Sequence, residues 1–223
     1  MSGCSDQVDD ALWPERRISY SSRRVAMTKV RRWLGENADG ELWLPPNMGA
    51  DRVYRIRDGY LLDWHLFRRL RARGEARGTA GATDLRRALE LVRGAPLDGA
   101  DRPYAAGNRN PYTWLPTSGI QPHHLASAVV DVAHQLVDLY LDAGDATAAR
   151  WAVEQAWLAD PDRLNDQPWL DLMRITAEEG HTSELRALID QLVVAREVEV
   201  PEELSPETFR EVNRLAGHHL RIG

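Results

Sequence analysis

A chain of 223 residues with 43% hydrophobic content can bury a real core, as one large domain or two small ones. No apolar run approaches the ~18 residues that a bilayer span requires, no apolar h-region precedes Cys4, and one cysteine allows neither a disulfide framework nor a cysteine-based metal site. A cytoplasmic chain without membrane contact is therefore expected. The net charge of −6 hides an asymmetry: residues 1–80 carry fifteen basic and eleven acidic residues and the remainder thirteen and twenty-three, so only the front suits an anionic partner.

In chain order, Asp9 to Trp13 reads as the last turn of a helix stopped by Pro14. Ser21 or Ser22 is the expected N-cap of a helix running to Leu34 and ended by Gly35. Leu42-Trp43-Leu44 and Val53-Tyr54-Arg55-Ile56 are short and rich in aromatic or branched residues. With Pro45-Pro46-Asn47-Met48-Gly49 between them, they predict a β-hairpin with a broad tip. From Leu61 onward the period is helical. Leu62, Leu66 and Leu70, beside Trp64 and Phe67, form one stripe; Leu85, Ala88, Leu89 and Val92 form another, closed by Gly94 and Pro96. Residues 94–121 hold too many prolines and glycines for a long helix and read as an extended connection. Helices are then predicted over 122–143, 145–159, 167–179, 182–196 and 205–217.

Spacing in this last region is specific. Leu136, Tyr140, Ala149, Val153, Ala156 and Pro161 fall where a tetratricopeptide (TPR) motif of ~34 residues wants large, large, small, large, small and proline. The small residues let antiparallel helices approach closely, and Gly144 and Gly180 mark two turns. The predicted fold class is mainly α: a partial winged helix (helix plus β-hairpin) over 1–60, then a TPR-like antiparallel helical domain over 61–223.

The stretch that can carry chemistry is Arg16–Arg32, with seven basic residues and no acid between Glu15 and Glu36. At 100° per residue, Ala26, Met27, Trp33 and Leu34 cluster with Val30 as a buried stripe. Arg24, Val25, Thr28, Lys29, Arg31 and Arg32 take the opposite side, and Arg23 falls on the buried side. A basic helix followed at once by a hairpin is the arrangement of a recognition helix and its wing. Arginine pairs with phosphate or the guanine edge, and threonine bonds to either. The candidate DNA-binding residues are Arg24, Thr28, Lys29, Arg31 and Arg32 on the helix, with Arg52 and Arg55 on the hairpin and Arg57 near it. A solvated basic face is the plainer reading of the same residues.

Several strings resemble a known family. Asp10-Ala-Leu-Trp-Pro14, Val30-Arg-Arg-Trp-Leu-Gly35 and Val53-Tyr-Arg-Ile56 resemble the second half of the winged helix in response-regulator-type (OmpR-like) domains. Asp63-Trp-His-Leu-Phe67-Arg-Arg-Leu70 is similar to the junction that follows it in antibiotic-regulatory (SARP-type) activators. Leu85-Arg-Arg-Ala-Leu89, Arg93-Gly-Ala-Pro-Leu97, Ala143-Gly-Asp145 and Leu204-Ser-Pro-Glu207 resemble the bacterial transcriptional activator domain (BTAD). The resemblance runs from about Asp9 to the end. It implies transcription regulation by sequence-specific binding of double-stranded DNA through helix 22–34. It also implies a helical domain for self-association as a homodimer and for contacts with RNA polymerase or another protein. Tyr112-Thr-Trp114-Leu115 and Ile120–His134 are closest to the variant found as the tail of larger LysM-containing proteins. In that variant the module would serve protein–protein interaction without DNA binding of its own.

The chain departs from this pattern at the front, where about a dozen residues before Trp13 are too few for the strands and first helix of a complete winged helix; a fragment of a longer protein is expected. No catalytic constellation, cofactor motif or metal site is expected. His123-His124 and His218-His219 are adjacent pairs whose rings diverge by about 100° on a helix, and His134 reads as having no acid at ligand spacing. Trp151, Trp157 and Trp169 read as packing residues, and Trp114 as an anchor in the long loop.

Overall fold

The computed structural model describes residues 2–4, 8–9, 13, 17–46, 53–98 and 121–219, and the protein is mainly helical. The extended connection at 99–120, with Trp114, and the tip of the predicted hairpin at 47–52 lie outside the described residues. The chain divides into two compact units, one containing the residues up to Leu62 and the other Asp63–Pro96 with Pro122–Gly223.

In the first unit, strand β1 (Ser2–Cys4) precedes helix α1 (Tyr20–Leu34) and strand β2 (Val53–Arg55). The N-cap of α1 is Ser19 rather than Ser21 or Ser22. Its backbone is extended and its hydroxyl accepts from Ser22 N at 3.1 Å, satisfying an amide that has no partner inside the helix. Gly35 closes the helix at φ 74°, a left-handed conformation that a β-carbon would strain. A tight turn follows: Asn37 Oδ1 accepts from Asp39 N and Glu41 N, and Glu36 bridges Leu42. Upstream, Trp13 N donates to Asp9 O at 2.7 Å, one helical turn ahead of Pro14.

The predicted hairpin is not what forms. β2 pairs antiparallel with β1, Ser2 opposite Arg55 and Cys4 opposite Val53, while segment 42–44 is no strand. Just past the second predicted arm, Arg57 N donates to Trp43 O of the first at 2.9 Å. Pro45 and Pro46 have no amide to donate and cannot continue a ladder. The dozen residues before Trp13, expected to be too few for the full strand set and first helix of a winged helix, supply one short strand.

The second unit is helix on helix. Helix α2 (Asp63–Arg77) meets α3 (Ala82–Leu89) through a 3₁₀ turn, Gly78–Gly81. There the backbones of Gly74 and Gly81 nearly touch, so that a β-carbon at Gly81 would lie 1.9 Å from Gly74 O. Buried Asp84 is clasped by Arg73 and Arg77, which ties the start of α3 back to α2. Next come α4 (Pro122–Asp142), α5 (Ala146–Ala159), α6 (Gln167–Glu178), α7 (Thr182–Ala195) and α8 (Pro206–His219), all within two residues of the predicted bounds.

The turn between α4 and α5 shows why the sequence was readable. Gly144 takes φ 70° to end α4, and the carboxylate of Asp145 accepts from Ala148 N at 2.9 Å to begin α5. So short a connection folds the two helices back on each other. Leu136, Ala149, Val153 and Ala156 are all at most 1% exposed at their contact. One core joins α2–α5 with Ile175 of α6, a second joins α6–α8, and Trp157 and Leu172 pack against both. Each fully buried leucine among them, such as Leu85, Leu136 and Leu185, contributes ~1.5–3 kcal/mol of transfer free energy. No described helix is long and apolar enough to cross a membrane.

Candidate nucleic-acid interface

One side of α1 forms an open cleft of about 890 Å³ with the chain that follows it. Arg24, Thr28, Arg31 and Arg32 line it together with Tyr20, and Tyr54 of β2 contributes from across the cleft. Four of the eight predicted site residues therefore share one surface, but they are not equivalent. Arg24 and Arg32 are exposed, and neither guanidinium has a hydrogen bond or ion pair among the described residues. Lys29, also exposed and without a partner among those residues, lies outside this cleft, beside Val25 and Ala26. These three are the uncommitted cations of α1.

Arg31 is different. It is half-buried, and its fork donates Nε–H to Pro45 O and Nη2–H to Pro46 O, both at 3.1 Å. Both carbonyls accept from the helix, in a segment whose prolines have no amide of their own to donate. Arg31 therefore fixes the loop against α1 and is not a freely offered phosphate contact. The hydroxyl of Thr28 donates to Arg24 O at 2.8 Å, which leaves only its acceptor capacity outward. Arg52 lies outside the described residues. Arg55 is exposed opposite Ser2 but is engaged elsewhere and does not belong with the uncommitted cations. Arg57 is bound to Leu42 O and paired with Glu41 at 3.3 Å.

Arg23, expected on the apolar side, is half-buried and held by the carboxylate of Asp9, with Nε–H to Oδ1 at 2.6 Å. One wheel-based expectation is corrected. Trp33, expected in the buried stripe, is 82% exposed; Met27 is the buried residue of α1, with Ala26, Val30 and Leu34 only partly covered.

The second unit has a polar cleft of its own, about 510 Å³, at its helix ends. His134 of α4 sits 2.8 Å from the buried carboxylate of Asp171 on α6, with Gln167 bridging both. Asp138, one turn along α4, lies 3.8 Å from the other ring nitrogen and pairs with Arg174 at 2.8 Å. The expectation of no acid near His134 is therefore wrong. Asp138 was legible at i+4; Asp171 is 37 residues away and was not. No cluster of three or more His, Cys, Asp or Glu able to hold a metal occurs among the described residues.

The hydrogen bond to Asp171 raises the His134 pKa above 6.5, assisted by the charges of Asp171 and Asp138 and opposed by burial and by Arg174. The folded state thus favours the imidazolium. The resulting stabilisation is full below pH 6.5 and is lost as pH rises through the higher folded value. Urea denaturation midpoints should fall between pH 6 and 8.5 in the wild type and fall less in His134→Gln. Equal pH dependence in the two would show that the pair does not couple to folding.

Comparison with models of known families, with curated proteins and with solved structures gave no match.

Proposed function

We propose that the chain is a transcription regulator that lies against duplex DNA through α1 and the loop beside it. Its TPR-like helical unit would serve self-association and contacts with RNA polymerase or another protein. The observation that carries this reading is the set of uncommitted cations, Arg24, Lys29 and Arg32, on one helix within a stretch free of acids from Arg16 to Gly35. A rigid helix offers such charges to phosphates at fixed spacing, without the ordering cost that a flexible basic tail would meet. The resemblance of Val30–Gly35 to part of a winged helix supports the same assignment, with the loop at Pro45-Pro46, rather than a β-hairpin, held beside the helix by Arg31.

Fluorescence anisotropy with mixed-sequence duplexes tests it. Binding should weaken steeply as salt rises from 50 to 200 mM. A flat response, or none, sinks the DNA reading for this chain.

A second reading has its own observation. Leu164 and Val194 are about three-quarters exposed on the helical unit, and Val194 lines a shallow cleft with Trp169. They suit a protein-interaction module, with α1 as structure alone. Light scattering that finds a dimer, together with no DNA binding, would favour it.

A further inference from the structure

We infer that the nucleic acid engaged by α1 carries an unpaired base, which stacks on Trp33; this rests on the nucleic-acid reading above. Three observations converge. The indole of Trp33 is 82% exposed, the most exposed of the protein's large apolar side chains among the described residues. A single exposed aromatic is ordinary on a protein surface, but its large planar face is open to a stacking ligand if the surroundings select one.

Its neighbours decide what the cover is. Lys29 lies one turn back, about 5–6 Å away along the same side of the helix, and Arg32, next to Trp33 in sequence, projects about 100° round from it; both are without a partner among the described residues. α1 itself carries no acid to repel a polyanion; the nearest, Glu36, follows Gly35 beyond the end of the helix. Charge complementarity thus selects an anionic occupant, and the aromatic face selects one with planar rings. Nucleic acid has both.

Duplex DNA alone does not satisfy Trp33. Paired bases already stack on both faces and offer a helix in the groove only their edges. A ring standing off a convex helix surface gains face-to-face contact only with a base that has left its stack, at an end, a bulge or a single-stranded tail. Arg32 and Lys29 would then hold the phosphates on either side of that base. The ligand is therefore a duplex with an adjoining unpaired stretch, in which the cleft side of α1 faces backbone and the Trp33 end receives the free base.

The test compares three labelled probes on the full chain: a blunt duplex, the same duplex with a short thymidine tail, and the tail strand alone. The tailed probe should bind on the order of tenfold tighter than the blunt one at equal salt. Trp33→Ala should erase that gain and leave blunt-duplex affinity within about twofold; Trp33→Phe should retain part of it. Blunt and tailed probes binding equally, or Trp33→Ala weakening both alike, overturns the stacking role and leaves duplex binding standing. Loss of self-association in Trp33→Ala with the tail gain intact would assign the indole to a second copy and equally overturn it. Failure of every probe to bind removes the nucleic-acid reading itself.

Discussion

Replacing Arg24 and Arg32 together with alanine should weaken duplex binding on the order of tenfold at low salt and lower the slope of log affinity against log salt by about 2. Each of these guanidiniums is exposed and has no partner among the described residues, so its charge is available and its removal leaves no buried group stranded. The fold should be untouched, and circular dichroism should superimpose on the wild type. The loss should be uniform across sequences, because phosphate contacts position a protein without reading bases.

Arg31 gives the contrast that makes the measurement decisive. Its fork spans two proline carbonyls, a geometry that a lysine cannot copy, so Arg31→Lys keeps the charge and loses the loop clamp. It should reduce affinity with the salt slope nearly unchanged. A double variant at Arg24 and Arg32 that retains the wild-type slope would show that these cations meet only solvent.

The second large effect concerns Gly81. A methyl there would sit 1.9 Å from Gly74 O and 2.6 Å from Gly74 C, and the obstacle is main chain, which cannot rotate aside. Gly81→Ala must therefore part α2 from α3 and loosen Leu85, which is 2% exposed between them. The expected cost is about 3 kcal/mol, the upper end for overpacking, or roughly 6–12 °C in Tm for a chain of this size. Gly217→Ala is the control. Nothing lies within 4 Å of its added carbon, and alanine favours helix, so stability should hold or rise by up to ~1 kcal/mol. Equal melting of the two variants would mean that the α2–α3 contact contributes little to the fold.

These features differ in how visible they were beforehand, and the difference is one of range. The helices of the second unit could be read closely because apolar period, Gly144, Asp145 and Gly180 all act within a few residues. The pairing of Val53–Arg55 with Ser2–Cys4 spans some fifty residues, and nothing local distinguishes it from the hairpin that Pro45 and Pro46 forbid. At the candidate interface, the charge of α1 was plain from the acid-free stretch. Which charges are spoken for was not, since Arg31 is captured by a loop and Arg23 by Asp9, and both depend on the path of the chain outside the helix. The exposure of Trp33 was missed for a related reason: a helical wheel ranks positions by angle and cannot know where the core ends.

Asp166, just ahead of α6, has one carboxylate oxygen on Arg196 Nε at 2.6 Å and the other on the hydroxyl of Thr208. Arg196 ends α7 and Thr208 lies in the first turn of α8, so a single side chain is the common anchor of the last two helices. Neither can peel away without stripping a charged acceptor of half its partners. Fraying from this end should therefore proceed in a pair, with the amides of both segments exchanging their protons at a common rate.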